Sequence, residues 1–425
     1  MNKKHSLLLI IGLLTTAPLA AQTYKFDFNV GKQCKEGYIK ITAANLYSSE
    51  IGYGYDLQAA PDGKSNTPFF FSLQVPDGNY KVTVVIGSRK KKGETTVRGE
   101  SRRLLLEHIS TAKGEMQSYT FTINKRNPKI SETEKVRIKP REKNKLNWDD
   151  KLTLEFNGDA PCLSLLTIEK SDSVPTVFLC GNSTVVDQDN EPWASWGQMI
   201  PNFFNELICF ANYAESGERA DTFINAGRLK KALTQAKPGD YLFVEFGHND
   251  QKLKGPGKGA FYSYMTCLKT FIDEARSRGV HPVLVTPTQR RSFGEDGKIK
   301  DTHEDYPEAM RWLANRENIP LIDLNEMTRT LYEALGVENS IKAFVHYPLG
   351  TWPGQTKVLQ DNTHFNPYGA YQIAKCIIEG MKKAVPELTQ YLRNASNYNP
   401  AQPDDIASFH WDNSPFTEIQ KPDGN

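Results

Sequence analysis

The sequence predicts two regions of different fold class: an all-β sandwich, followed by an α/β region built on a five-stranded, parallel, doubly wound sheet. Short β-rich runs bounded by turn residues fill residues 22–171, whereas strands alternate with amphipathic helical stretches over residues 174–394. A chain of 425 residues is long enough to bury two or three separate cores. The change of pattern near residue 172 therefore marks the expected domain boundary.

Seven runs of β-forming residues predict the strands of the first region. Turn signals such as Pro76-Asp-Gly78 separate them, and no helical period of useful length interrupts them. The runs are residues 24–28, 37–42, 69–75, 80–86, 119–123, 151–156 and 163–168. This pattern is typical of a β-sandwich.

Five apolar runs predict the strands of the second region, and the stretches between them carry the helical period. The predicted strands are residues 176–180, 207–211, 241–246, 282–286 and 320–323, and the predicted helices are 193–206, 222–236, 261–278, 306–317, 325–335 and 368–384. Strands joined by crossover helices form a parallel sheet. In such a sheet the functional site lies at the carboxyl ends of the strands.

The two ends of the chain differ from the folded regions. Lys3 and Lys4, the apolar residues 7–14, and the small residues Ala20 and Ala21 predict a signal peptide over residues 1–21, and hence a periplasmic or extracellular protein. No later segment predicts a membrane span. Residues 395–425 are polar and contain proline, which predicts an extension beyond the second domain.

The overall charge and the cysteines exclude several classes of protein. Without Lys3 and Lys4, 50 basic residues balance 50 acidic ones, which argues against a nucleic-acid-binding protein. The six cysteines form no CxxC pair and no metal-ligand spacing, and their pairing is left open. Residues 89–145 are locally basic, with 17 basic and 7 acidic side chains, which favours either a solvated face or a surface for an acidic polysaccharide.

Polar residues follow the first three predicted strands of the second region. Ser183 comes just after the first strand, beside a glycine, where a tight turn can expose its hydroxyl. Gly217 lies in the loop after the second strand, and Asn249 directly follows the third. A backbone N–H at a glycine and a neutral amide side chain are suitable donors for an oxyanion.

A histidine near the end of the region completes this set. His364 precedes a helix for which Asn366 and Pro367 are the expected N-cap and first residue. Asp361 lies three residues earlier and can accept a hydrogen bond from the imidazole, which would leave the other ring nitrogen as a base.

Taken together, these blocks resemble the SGNH (GDSL-type) hydrolases, whose four blocks carry Ser, Gly, Asn and His. Gly181-Asn-Ser-Thr-Val185 with Asp187 behind it, Gly247-His-Asn-Asp250 and Thr286-Pro-Thr-Gln-Arg-Arg-Ser-Phe293 are most similar to the rhamnogalacturonan acetylesterase branch. The resemblance spans residues 174–392. It implies a flavodoxin-like sheet and a serine esterase that removes acetyl groups from a pectic polysaccharide or oligosaccharide, with no metal and no organic cofactor.

The resemblance also implies roles for individual residues. Ser183, His364 and Asp361 would form a triad, and the Ser183 N–H, the Gly217 N–H and the Asn249 side chain would form an oxyanion hole. Asn182 departs from the Asp common at this place in the family, but keeps a carbonyl acceptor. The first region is similar to galactose-binding-like modules, and binding of sugar and bracing of the catalytic domain both remain open for it.

Four further side chains are candidates for substrate binding. Trp193 and Trp352 could stack on a sugar, although Trp193 could equally anchor the first helix. His248 belongs to the third block, and Arg290 could meet a galacturonate carboxylate or form a structural ion pair. Two other functions stay open: an esterase for another acetylated glycan, such as xylan or a sialylated sugar, and a carbohydrate-binding protein with an inert hydrolase half.

Overall fold

The computed structural model describes residues 23–29, 31, 33–57, 67–352, 354–394 and 396–415. The predicted signal peptide and residues 416–425 of the predicted extension lie outside these ranges. Among the helices of the described ranges, none is long and apolar enough to cross a membrane. All six cysteines belong to these ranges, and each is a free thiol.

The first half of the chain forms two five-stranded sheets. Its strands are β1 (Thr23–Asp27), β2 (Ile39–Lys40), β3 (Tyr53–Asp56), β4 (Phe69–Gln74), β5 (Gly78–Gly87), β6 (Gly93–Gly99), β7 (Arg103–Thr111), β8 (Met116–Lys125), β9 (Lys151–Asn157) and β10 (Leu163–Lys170). One sheet has the order β2-β1-β10-β5-β8 and the other β3-β4-β9-β6-β7. Neighbouring strands are antiparallel except for the short pair β1–β2.

A single apolar core joins these two sheets. Val82 and Val84 alternate inward along β5, and Phe71 and Leu154 come from the opposite sheet. Alternation with a period of two gives each strand one apolar face, and the two faces bury each other. The predicted sandwich is therefore confirmed.

The second half contains the predicted parallel sheet. Its strands are β11 (Thr176–Gly181), β12 (Cys209–Asn212), β13 (Tyr241–Glu245), β14 (His281–Val285) and β15 (Leu321–Ile322). They lie in the order β12-β11-β13-β14-β15, and every neighbouring pair is parallel. The chain adds β12 on one side of β11 and then returns to the other side of β11 to add β13, β14 and β15. This is the order of a doubly wound sheet, so the predicted fold class is confirmed.

Helices cover both faces of this sheet. They are α1 (Trp196–Met199), α2 (Ala220–Asn225), α3 (Arg228–Gln235), α4 (Met265–Arg276), α5 (Tyr306–Glu317), α6 (Leu324–Ser340) and α7 (Pro367–Ala384). The prediction of one helix over 222–236 is wrong, because Gly227 takes a left-handed conformation and separates α2 from α3. The helix predicted over 193–206 is also too long, because Pro201 follows α1 and the chain continues as a 3₁₀ turn.

A β-hairpin that the sequence did not predict precedes α7. Strand β16 (Phe344–Tyr347) pairs antiparallel with β17 (Leu359–Phe365), and β17 carries Asp361 and His364. Polar residues interrupt β17, so it lacks the apolar pattern of a buried strand. The predicted entry to the following helix is confirmed, because the Asn366 side chain accepts from the Gly369 N–H and Pro367 is the first helical residue.

The described part of the predicted C-terminal extension packs across both halves of the molecule. We call residues 404–415 the C-terminal strap. The indole ring of Trp411 stacks on the Arg98 guanidinium of β6, 4.0 Å from ring centre to Cζ, and its Nε1–H donates to Glu191 of the second half. The Ser414 N–H donates to the same carboxylate. The strap therefore ties the sandwich to the α/β half.

Buried ion pairs form much of the contact between the two halves. Arg103 donates through both Nε and Nη2 to Asp187, and Arg102 lies 2.6 Å from Glu191. All four side chains are at most 3% exposed. A buried charge is tolerated only when a partner and hydrogen bonds replace its water, so these pairs fix the position of the segment that follows Ser183.

Some of the basic residues between 89 and 145 serve this contact, whereas others are exposed. Besides Arg102 and Arg103, Lys145 pairs with Glu215, and the Arg126 guanidinium contacts the rings of Trp148 and Tyr213. The solvated face expected from the charge excess describes the exposed basic residues but not the buried ones. Arg102, Arg103 and Lys145 each pair with an acidic residue of the second half, a relation that composition does not reveal.

We predict that Arg103→Ala lowers the free energy of unfolding by about 3–5 kcal/mol, because it leaves the Asp187 carboxylate buried without its partner. Urea denaturation measures the change. The matched control is Lys230→Ala, which removes a solvent-exposed ion pair with Glu134 and should cost less than about 1 kcal/mol. Equal losses in the two variants would contradict the account.

Candidate active site

Three loops meet at the carboxyl edge of the parallel sheet. Strand β11 pairs with β12 on one side and β13 on the other, so the loops carrying Ser183, Gly217 and Asn249 leave the sheet next to one another. Two hydrogen bonds join the loops: the Glu215 N–H donates to the Gly181 carbonyl, and the Asn249 side chain donates to the Glu218 carbonyl. The arrangement follows from parallel pairing alone.

Ser183 lies in a tight turn directly after β11. A Cβ atom on Gly181 would lie 2.5 Å from a Val185 methyl carbon, so the turn requires glycine there. The Asn182 side-chain oxygen accepts from the Thr184 N–H at 3.1 Å, as expected of the acceptor that replaces Asp. Its Nδ2 is buried with no partner among the described residues. An amide at this position therefore leaves a buried donor without a hydrogen bond, which is energetically unfavourable.

Ser183, His364 and Asp361 form a continuous hydrogen-bonded chain. The Ser183 Oγ lies 2.8 Å from His364 Nε2, and His364 Nδ1 lies 2.8 Å from Asp361 Oδ2. The carboxylate can only accept, so Nδ1 carries the proton and Nε2 accepts from the serine hydroxyl. The three side chains are nearly buried, at 3%, 1% and 5% exposure.

The Asp361 carboxylate is held by more than the imidazole. Its Oδ1 accepts from the Thr363 and His364 N–H groups at 2.9 and 3.0 Å. Burial opposes ionisation, but the His364 side chain and these two N–H groups outweigh it and hold the pKa of Asp361 well below its ordinary value. The carboxylate is therefore charged at any physiological pH.

The groups expected to form the oxyanion hole keep hydrogens that are not donated to the described residues. Neither the Ser183 N–H nor the Gly217 N–H donates to any acceptor of the described residues. Asn249 uses one Nδ2 hydrogen on the Glu218 carbonyl, and its Oδ1 accepts from Lys252 Nζ at 3.2 Å. Both contacts fix the orientation of the amide, and among described residues no acceptor takes its second Nδ2 hydrogen. The sequence analysis missed Lys252, although it lies three residues after Asn249.

A buried carboxyl group lies beneath the nucleophile turn. Glu245, the last residue of β13, accepts from Trp196 Nε1–H and lies 2.7 Å from the Thr184 hydroxyl. That hydroxyl also lies 2.9 Å from Asn182 Oδ1 and has only one proton to share. A proton on Glu245 satisfies both contacts. Burial raises the pKa of Glu245 to about 7, in agreement.

Two of the predicted substrate-binding residues are buried. Trp193 is 1% exposed, so neither face of its ring is open to a sugar, and its role in this structure is packing. His248 is 2% exposed, with Nε2 3.1 Å from the Thr288 hydroxyl and its ring edge-on to His303. Burial and neighbouring positive charge lower the pKa of His248 well below its ordinary value, so the ring is neutral.

The other two candidates remain accessible. The Arg290 guanidinium is partly exposed and donates to the His248 and Thr302 carbonyls, but it pairs with no carboxylate in the part of the chain that the structure describes. Trp352, in the connection between β16 and β17, packs edge-on against Tyr347. The Tyr347 hydroxyl accepts from Asn366, two residues after His364.

Comparison with known proteins identifies the family. Residues 179–370 match the GDSL-like lipase/acylhydrolase family. Rhamnogalacturonan acetylesterase RhgT of Bacillus subtilis (strain 168) is 40% identical over 218 residues, which are 51% of this chain and 93% of that protein. The chain belongs to the GDSL-like lipase/acylhydrolase family. The resemblance drawn from the four sequence blocks is thus confirmed, and the chain is a carboxylic ester hydrolase.

Two further proteins of Bacillus subtilis (strain 168) are similar to this GDSL-family esterase. Probable rhamnogalacturonan acetylesterase YesY is 33% identical over 217 residues, covering 50% of this chain and 95% of that protein. Uncharacterized esterase YxiM is 25% identical over 389 residues, covering 85% of this chain and 91% of that protein. The match to YxiM extends beyond the hydrolase half into the β-sandwich.

We predict that the stability difference between the wild type and Glu245→Gln depends on pH. The folded protein keeps the Glu245 proton up to about pH 7, whereas the unfolded chain loses it near the ordinary value of 4.5. The free energy of unfolding that the neutral carboxyl group contributes is fully present below pH 4.5 and is lost as the pH rises through 7. Over this range the wild type should lose roughly 3 kcal/mol relative to the variant. Urea denaturation across this range measures it, and a constant difference would contradict the assignment of the proton.

Proposed function

We propose that this esterase removes acetyl groups from a rhamnogalacturonan-type pectic polysaccharide or oligosaccharide by a Ser-His-Asp mechanism. The observation that carries the chemistry is the hydrogen-bonded chain from Ser183 through His364 to Asp361, with 2.8 Å at each step. The observation that carries the substrate is the 40% identity to RhgT, which is named for that activity.

The mechanism starts with proton transfer from Ser183 Oγ to His364 Nε2. The oxygen attacks the acetyl carbonyl, and the imidazolium that forms is stabilised by the Asp361 carboxylate. His364 then gives the proton to the departing sugar oxygen, which leaves an acetyl group on Ser183. Water, deprotonated by the same imidazole, attacks this acetyl-enzyme, and acetate is released as His364 returns the proton to Ser183 Oγ.

The negative oxygen of each tetrahedral intermediate needs donors that are already in place. The Ser183 N–H, the Gly217 N–H and the second Nδ2 hydrogen of Asn249 supply three. Because the contacts of Asn249 with Glu218 and Lys252 hold its amide fixed, little reorganisation is needed as the charge develops.

The charge around the site supports an acidic substrate. The Arg290 guanidinium has two backbone carbonyls as partners but no carboxylate among the described residues, so its charge is not neutralised. Burial lowers the pKa of Arg290, yet guanidinium stays charged. A galacturonate carboxylate would supply the missing anion with a bidentate hydrogen bond. A neutral glycan such as xylan offers no such group.

We predict that the protein releases acetate from acetylated rhamnogalacturonan and that Ser183→Ala lowers this rate by at least about 10³-fold, because the nucleophile is lost. Enzymatic assay of acetate measures the rate, with acetylated xylan as the comparison. Activity that survives in Ser183→Ala would refute the mechanism. Faster release from xylan would refute the substrate but leave the mechanism standing, and an inert hydrolase half would release acetate from neither polymer.

We also predict that Arg290→Gln raises KM for acetylated rhamnogalacturonan oligosaccharides by roughly tenfold through the loss of a charge-assisted hydrogen bond. The kcat/KM for 4-nitrophenyl acetate, a neutral ester, should stay within about twofold. The matched control is Arg276→Gln, at the end of α4 on the opposite edge of the sheet, which should leave both values unchanged. Equal losses on both substrates would show that Arg290 acts on the fold and not on the substrate charge.

A further inference from the structure

Four potential metal ligands converge where the C-terminal strap meets the sandwich, outside the candidate active site. Glu94 lies on β6, His108 on β7, and His410 and Asp412 on the strap. Each offers one donor atom, and the four atoms lie within 4.8 Å of one another. Nothing in the ester hydrolysis described above uses them.

The hydrogen bonds of His108 leave one ring nitrogen directed at the cluster. Nε2 lies 3.2 Å from the His410 carbonyl, which can only accept, so Nε2 carries a proton. The other nitrogen, Nδ1, lies 3.1 Å from Glu94 Oε1 and 4.0 Å from Asp412 Oδ2. An Nδ1 lone pair that faced these carboxylate oxygens would be repelled by them, so the contact needs either a metal ion between the atoms or a hydrogen bond from Nδ1–H.

The surroundings of the four donors match those of metal ligands. A metal-bound histidine usually donates its second N–H to a backbone carbonyl or carboxylate, as His108 does here. Carboxylates that bind metals are in turn hydrogen-bonded. The Thr96 hydroxyl donates to Asp412 Oδ2 at 3.2 Å and the Ser110 hydroxyl to Glu94 Oε2 at 3.3 Å. Both contacts hold the acids in position without taking their remaining lone pairs.

The spacing of the donors favours a small, four-coordinate ion. Ligands at about 2.0–2.2 Å in a tetrahedron lie roughly 3.3–3.6 Å apart. His108 Nδ1 lies 3.1 Å from Glu94 Oε1 and 4.0 Å from Asp412 Oδ2, distances on either side of this value. The other Asp412 oxygen, Oδ1, lies 3.1 Å from His410 Nε2. Two imidazoles and two carboxylates suit Zn²⁺ and similar transition metals, whereas Ca²⁺ and Mg²⁺ prefer oxygen ligands alone.

We propose that Glu94, His108, His410 and Asp412 bind a divalent transition-metal ion of the zinc type, which fastens the C-terminal strap to the sandwich. The site is structural, because all four positions are taken by protein ligands. Two of these ligands flank Trp411, so the ion would strengthen the contact in which Trp411 joins Arg98 to Glu191.

The test is zinc binding by the full chain without a histidine tag. Protein stripped with a chelator is dialysed against Zn²⁺, and bound metal is counted by elemental analysis. We expect one Zn²⁺ per chain, and a loss of affinity of at least about tenfold in His410→Ala, a variant that removes a mostly exposed side chain and so leaves the fold intact. Asp412→Asn, which keeps the shape of the side chain, should weaken binding in the same direction.

Controls separate this site from adventitious binding by surface histidines. His281→Ala removes an exposed histidine at the start of β14 and should bind Zn²⁺ as the wild type does. Zn²⁺ should also slow hydrogen exchange in peptides from residues 404–415 of the wild type but not of His410→Ala, and Ca²⁺ or Mg²⁺ should do neither. Equal Zn²⁺ uptake by wild type and His410→Ala, or no uptake by either, would overturn the proposal.

Discussion

The parallel pairing of β11 with β12 on one side and β13 on the other decides where each candidate catalytic group lies. Three strands that run in one direction end at one edge, so Ser183, Gly217 and Asn249 come together without any loop having to cross the molecule. The base, His364, comes from a part of the chain outside this sheet. His364 is carried by a separate hairpin. Asp361, which two backbone N–H groups hold in place, orients the ring by accepting from its Nδ1–H.

Buried charge links this edge to the β-sandwich. Arg103 holds Asp187, whose other oxygen accepts from Asn212 at the end of β12, and the Gln188 side chain donates to the Ser183 carbonyl. The segment after the nucleophile is thus held from both halves of the molecule. Desolvated ions contribute little net stability but are costly to separate, and we infer that the sandwich braces the nucleophile turn.

The sequence was sufficient for the parts of the structure that depend on periodicity and local residue chemistry. Buried parallel strands are apolar throughout, and Asn366-Pro367 is a local start signal, so the sheet and α7 could be predicted. The hairpin that carries His364 could not, since its strand is polar. The burial of Trp193 could not be predicted either, because burial depends on tertiary packing that one sequence does not contain. The strap and the Arg103–Asp187 pair join residues far apart in the chain, and no local pattern marks such partners.

The most direct test of the account is whether Ser183 is the activated nucleophile. A fluorophosphonate reacts with a serine only where a base and an oxyanion site activate it. Treatment of the intact protein followed by peptide mass spectrometry should find one label per chain, on the peptide that contains Ser183. Ester hydrolysis that continues with Ser183 unlabelled, or a label on another residue that abolishes activity, would contradict the account.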